Sequence, residues 1–177
     1  MIASCLLAGT VCALTVHSQD SSIKDSSFDL VSLKSQITNY KSWTAVNAQP
    51  AKMSPVTSLM CSSPAASAPH ADKYLRVYVN DAGRDAMFQT TNPRFPVGTI
   101  IVKEKLPAID STEPEFYTIM VKRESSYDPA HGNWQYLTMS GDRSKIEGPK
   151  NIRSCQACHD VYRDISDSVT RAYLQSR

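Results

Sequence analysis

Five consecutive residues near the C-terminus, Cys155-Gln156-Ala157-Cys158-His159, constrain this chain more than any other stretch. Two thiols three residues apart share one helical turn, and the histidine directly after the second lies a turn from the first. That spacing suits addition of each thiol to a vinyl group of a haem, with His159 ligating the iron from the proximal side. Other uses of a Cys-x-x-Cys pair fit less well. Zinc needs a fuller tetrahedral shell, and outside the motif and the N-terminal segment only Cys61, His70 and His131 remain, with no second paired cluster. A thioredoxin-like dithiol belongs at the start of a helix in a βαβ unit, which the surrounding pattern lacks. A structural disulfide across so short a loop would be strained. The expected cofactor is therefore a covalently attached haem c, its iron on His159.

The N-terminus agrees with such a cofactor. Residues 1–18 are an apolar run of small residues and leucines, too short to span a bilayer, and they end in Val16-His17-Ser18, which suits signal-peptidase cleavage. We read them as an export signal that places the protein in the periplasm or otherwise outside the cytoplasm, where haem c is attached. The run has no Lys or Arg before it, a departure from the usual pattern that leaves an uncleaved anchor or a different start open. Cys5 and Cys12 would leave with the signal, and Cys61 is then an idle or modestly buried thiol, with an intermolecular bridge or a reactive role as the alternative. With 177 residues, 41% hydrophobic and 20% charged, the chain suits one domain with one core. A net charge of +2, with no basic stretch interleaved with aromatics, gives no reason to expect nucleic acid.

Residues 19–38 read as a flexible polar leader that passes into a short amphipathic segment at Phe28, Leu30, Val31, Leu33 and Ile37. Tyr40 and Trp43 would share a helical face. The proline- and serine-rich stretch 49–69 reads as a loop. Order returns at Tyr74–Val79, where Leu75, Val77 and Val79 alternate with Tyr74, Arg76 and Tyr78 as in a half-buried strand. Asn80 is then placed to cap a short helix over residues 81–88. Further strands are predicted over 99–106, 116–123 and 134–139. The second carries Thr99, Ile101, Lys103 and Lys105 on one face and Glu104 on the other. Four strands joined by short connections make an antiparallel sheet, since parallel neighbours need long crossovers. A Gly-, Lys- and Arg-containing loop, 141–153, leads to the motif, and a helix is expected from Cys155 to about Leu174. The fold class is α+β: an antiparallel sheet with flanking helices, the C-terminal one carrying the haem c motif.

Taken in order, Asn39-Tyr40 with Trp43, then residues 75–81, then Phe95-Pro96-x-Gly98-Thr99-x-x-Val102-Lys103-Glu104, residues 120–123, Gly132-Asn133-Trp134, and the motif with Asp167 and Val169 beyond it resemble the cytochrome P-460 family of c-type cytochromes. The resemblance covers residues 39–173 and marks 39–177 as a haem c domain. It implies a five-coordinate haem with a proximal histidine and commonly a homodimer. It also implies one of two chemistries. Members resembling cytochrome P-460 proper bond a lysine to a haem meso carbon and oxidise hydroxylamine. Members resembling cytochrome c-prime-beta lack that bond and bind nitric oxide or carbon monoxide in a pocket walled by phenylalanines. The family's lysine corresponds to Lys103, with a solvated strand lysine as the plain alternative. Lys105, on the same strand face, is a lesser candidate.

In the first chemistry the resemblance implies oxidation of hydroxylamine or a related small nitrogen species, a distal carboxylate as proton acceptor, and an electron-acceptor protein as partner. Glu104, Glu115, Glu124 and Glu147 are all open for the carboxylate. In the second the partner is a diatomic gas, without turnover. A plain electron carrier would need a sixth ligand, for which His70, His131, Met87, Met120 and Met139 are the candidates. Phe95, Phe116 and Phe88 are candidate pocket walls. Arg76 is a candidate partner for a haem propionate through a charge-assisted bond, or else an exposed strand arginine.

Overall fold

A computed structural model of the chain describes residues 26–54, 73–148 and 152–176. The segment read as an export signal, Cys61 and His70 lie outside these residues. The elements, in order, are α1 (Ser26–Ile37), a 3-10 turn (Tyr40–Ser42), β1 (Thr44–Ala45), β2 (Ala51–Lys52), β3 (Tyr74–Val79), α2 (Asp81–Phe88), β4 (Ile100–Leu106), β5 (Phe116–Lys122), a 3-10 turn (Pro129–His131), β6 (Trp134–Ser140), β7 (Ile146–Glu147), α3 (Ile152–Asp160), α4 (Arg163–Ser166) and a last 3-10 turn (Ala172–Ser176). No helix among the described residues is long and apolar enough to cross a membrane.

The seven strands form one antiparallel sheet in the order β1-β3-β4-β5-β6-β7, with β2 also paired to β3. The α+β class and the motif-bearing C-terminal helix are as the sequence implies. The four long strands are the ones the sequence predicts, and their burial at both phases of the period follows from a pleated sheet covered on two faces. The short strands β1, β2 and β7 complete the edges. Between β1 and β2, Asn47 stands in for a strand partner: its Oδ1 accepts from Val77 N at 2.9 Å and its Nδ2 donates to Leu75 O at 2.9 Å. The backbone groups of β3 that the short strands miss are thereby satisfied.

Asn80 caps α2 as its position suggests. Its side-chain oxygen accepts from Gly83 N and from Ile100 N, and its amide donates to Gly98 O. One side chain thus closes the helix start and joins it to β4. Gly83 is required there, since a Cβ would lie 2.3 Å from a Thr99 methyl and 2.8 Å from a Val79 methyl.

The pleat sorts residues to two faces. Against α1 pack Tyr78, Ile100, Val102, Tyr117, Ile119, Leu137 and Met139, with Leu33, Ile37 and Tyr40 from the helix and the turn after it. The ordered core therefore takes in the end of the stretch read as a leader. The other face holds Val77, Val79, Ile101, Met120, Trp134 and Tyr136 with Met87, Phe95, Val169 and Tyr173, and Cys155 of α3 packs against this cluster. The expected single helix over 155–174 is not found. It stops at Asp160, resumes as α4 for one turn, and ends where Asp167 and Ser168 adopt left-handed backbone angles, φ 51° and 65°. The physical reason for the final stop lies in Asp164, Ser166, Asp167 and Ser168, whose short polar side chains compete for backbone partners and favour helix ends over helix interiors.

Candidate haem site

His159 sits in the last turn of α3, a turn beyond Cys155. Its Nδ1 lies 2.7 Å from the carbonyl oxygen of Ser168. A carbonyl can only accept, so Nδ1 carries the proton and Nε2 keeps its lone pair. Burial, and then the positive charge of Lys103, pull the His159 pKa down to about 4, against the opposing pull of the Ser168 carbonyl and Asp160. The ring is therefore neutral at pH 7, the state a metal ligand requires. The Tyr136 ring lies beside it, centroids 5.2 Å apart and tilted by 52°. Tyr136 is itself buried, its phenol pKa is pushed up by that burial, and its hydroxyl has no hydrogen-bond partner among the described residues.

Strand register places the other candidates. Lys103 pairs with Val77 on one side and Thr118 on the other; Thr118 pairs with Thr138, and Thr138 with Glu147. Directly paired residues project to the same face. Lys103, Thr118, Thr138 and Glu147 thus form a row across β4 to β7, about 14 Å long at the usual strand spacing. All four are half-buried, whereas Met120 and Tyr136, one row along on the same face, are buried. We call this row the trough: two small threonines lie at its centre, with a cation at one end and a carboxylate at the other. Lys103 faces the same side as His159, whose titration its charge depresses.

This donor set fits a haem. It offers two half-buried thiols on one helical turn, a neutral imidazole with its tautomer fixed by a carbonyl, and a sheet face whose centre carries small side chains. It does not resemble a zinc shell: among the described residues no group of three or more His, Cys, Asp or Glu side chains is gathered as a metal ion would need.

Several sequence candidates lie elsewhere. Glu104 points to the α1 face, fully buried, where its Oε1 accepts from the Tyr40 hydroxyl at 2.5 Å and its Oε2 is 3.8 Å from Arg76 Nη1. Arg76 is opposite Glu104 in the β3–β4 register. The structure therefore brings neither Arg76 nor Glu104 to the His159 face; each meets the other because alternation put both on the α1 side. Glu115 pairs with Lys73 at 2.8 Å, and Glu124, exposed beyond β5, lies near Arg123. Of the four carboxylates only Glu147 shares the Lys103 row, and it pairs with Lys145 at 2.9 Å. Lys105 is buried on the His159 side of β4 with its ammonium 5.2 Å from the Phe116 ring centroid. Phe116 is thus on the trough face. Phe95 is not part of the trough: it is buried edge-on against Trp134 at 5.7 Å, and its backbone N–H donates to Asp167. Phe88 packs, half-buried, on the same core. His131 is held by Asp160, Nδ1 to Oδ2 2.8 Å, which fastens the turn before β6 to the end of α3. Met87 and Met120 are buried in the core on the motif side, and Met139 in the core under α1.

Sequence reasoning missed the residues that hold the histidine. Ser168 supplies the carbonyl, and Asp167 binds Lys122 Nζ at 2.8 Å and accepts from Phe95 N at 2.9 Å. The Asp-Ser-Asp-Ser run, 164 to 168 with Ile165 inside it, carried a signal for a helix end but none for its destination. Against known proteins, the profile of one family, cytochrome P-460, matches residues 37–169, which is most of the chain. No curated protein matches it.

Proposed function

The chain belongs to the cytochrome P-460 family, and on that premise we propose that it is an exported mono-haem c-type cytochrome that oxidises hydroxylamine or a related small nitrogen species. Haem is the cofactor its family implies; Cys155 and Cys158 would bind it covalently and His159 would be the proximal ligand. Bound there, the haem supplies an iron with an open position for the substrate nitrogen and a sink for its electrons.

The chain's own residues supply the rest. Ser168 fixes the His159 tautomer, so that the imidazole meets the iron through Nε2. Lys103, on the same sheet face, would be the residue that bonds the ring edge, which would distort the macrocycle and retune it. Glu147, at the far end of the Lys103 row, is the carboxylate available to take a proton from bound substrate once it releases Lys145. Electrons would pass to an acceptor protein, and a homodimer is the expected assembly.

The observation that carries this reading is that strand register puts Lys103 on the same sheet face as Tyr136, whose ring lies beside His159. The test is the optical spectrum of the reduced, haem-loaded protein. A strongly red-shifted Soret band that reverts in Lys103→Ala supports it; an ordinary high-spin haem c spectrum, unchanged in that variant, sinks it.

One observation favours a second reading. Glu147 is engaged by Lys145, and Glu104 faces the other side of the sheet. Without a free carboxylate the same site is a binder of nitric oxide or carbon monoxide with no turnover. Glu147→Gln separates the two, since it abolishes hydroxylamine oxidation only if that residue takes the proton. The electron-carrier reading would need a sixth ligand: among the described residues His131 is committed to Asp160 and Met139 lies on the α1 side, which leaves Met87 and Met120 of the motif-side core.

A further inference from the structure

On the reading that His159 ligates haem iron, we propose that the Lys122–Asp167 ion pair is a positioning device for that ligand: it holds the Ser168 carbonyl against His159 Nδ1 and so sets the strength of the iron–histidine bond. Asp167 and Ser168 are consecutive side-chain-bearing residues with left-handed backbone, φ 51° and 65°. Such a pair persists only where its surroundings over-determine it. The local bonds, Asp167 N to Arg163 O and Ser168 N to Tyr162 O, close the end of α4. They do not fix where that end sits against the sheet.

The sheet does so through Asp167. Lys122 Nζ of β5 lies 2.8 Å from each carboxylate oxygen, the backbone N–H of Phe95 donates to Oδ2 at 2.9 Å, and Trp134 Nε1 of β6 donates to the Asp167 carbonyl at 2.7 Å. The ammonium is anchored in turn: it donates to Gly132 O at 2.9 Å and lies 5.0 Å from the Trp134 ring centroid. Both side chains are nearly enclosed, 12% and 11% exposed. With the Asp167 carboxylate and carbonyl both pinned, the planar peptide that follows has little freedom, and the next carbonyl along is the one His159 meets at 2.7 Å. The hydrogen-bond chain from sheet to imidazole has no slack residue in it.

A short bond from Nδ1–H to a carbonyl raises the basicity of Nε2, strengthens its bond to iron and favours the ferric state. A merely structural ion pair would hold the loop without touching those properties. The difference is read on haem-loaded wild type, Asp167→Asn, Lys122→Met and Lys122→Arg, by resonance Raman of the iron–histidine stretch and by redox titration. Asp167→Asn and Lys122→Met are expected to lower the stretching frequency and move the reduction potential positive; Lys122→Arg, which keeps the charge, stays near wild type. Asp167→Asn and Lys122→Met proteins that hold haem with frequency and potential unchanged, even if they melt earlier, overturn the proposal. If Asp167→Asn fails to fold, Lys122→Met, which keeps an unbranched stem over Trp134, decides alone. A wild-type protein with no iron–histidine band overturns the ligand assignment itself, and this role with it.

Discussion

Lys103 and Glu104 are neighbours in sequence and opposites in structure. Lys103 faces the trough, half-buried, in a row with Thr118, Thr138 and Glu147. Glu104 faces α1, fully enclosed by Tyr40, Tyr117 and Arg76 on a side whose remaining contacts are apolar. One face of the sheet is covered by a helix, and there Glu104 is held by Tyr40 and Arg76. The other carries half-buried polar side chains at its centre, Lys103, Thr118 and Thr138, on the face where Tyr136 meets His159. A charged residue inside a sheet thus has two very different meanings, and the pleat, not the residue type, decides which applies.

The largest effect that tests this division is on the trough side. In Cys155→Ala combined with Cys158→Ala, we expect no haem to remain on the polypeptide after acid acetone extraction, against complete retention in the wild type. Retention in the double variant would remove the covalent attachment, and with it the reason for the trough.

The next test crosses the two faces. Glu104→Ala should cost about 3 kcal/mol in denaturant unfolding, because it leaves the Tyr40 hydroxyl buried without its acceptor and opens a cavity. It should leave the haem spectrum as it was. Lys103→Ala should do the reverse, changing the spectrum while costing less than about 1 kcal/mol, as half-exposed side chains outside tight networks do. If Glu104→Ala alters the spectrum while Lys103→Ala does not, the two faces have been assigned the wrong way round.

Much of this contrast was legible in the sequence, and the part that was not has a physical cause. The opposition of Lys103 and Glu104 follows from period-2 alternation alone, as does the strand Tyr74–Val79. The Asn80 cap was equally readable, since a small polar side chain between a strand and a helical run has few other uses. Arg76 was misplaced because alternation within one strand does not say which face of the next strand it matches; only the register, Arg76 opposite Glu104, shows that the two share a side. Glu147 could not be singled out for the same reason, since β7 is two residues long and has no periodicity to read. The helix expected through residue 174 concealed the Ser168 carbonyl, because a backbone acceptor has no sequence signature and its position depends on Lys122, 45 residues away along the chain in its bond to Asp167.

The smallest effect probes the sealed face by pH. Burial first, and then its bond to the Glu104 carboxylate, hold the Tyr40 phenol pKa well above its ordinary 10.0. The folded chain therefore keeps this proton after the unfolded chain has begun to lose its own. The unfolded state binds fewer protons above about pH 10, so the stability present at lower pH declines as pH rises past that point. Tyr40→Phe should cost about 1 kcal/mol at pH 7 through the lost hydrogen bond and the unpaired carboxylate, and should flatten the alkaline decline relative to wild type. Unfolding free energies measured from pH 8 to 11 on both proteins test this, because the two curves should converge as pH rises. Parallel curves would mean that the Tyr40 phenol ionises as readily in the folded chain as in the unfolded one, and that the α1 face is more open to water than its contacts with Glu104 and Tyr117 imply.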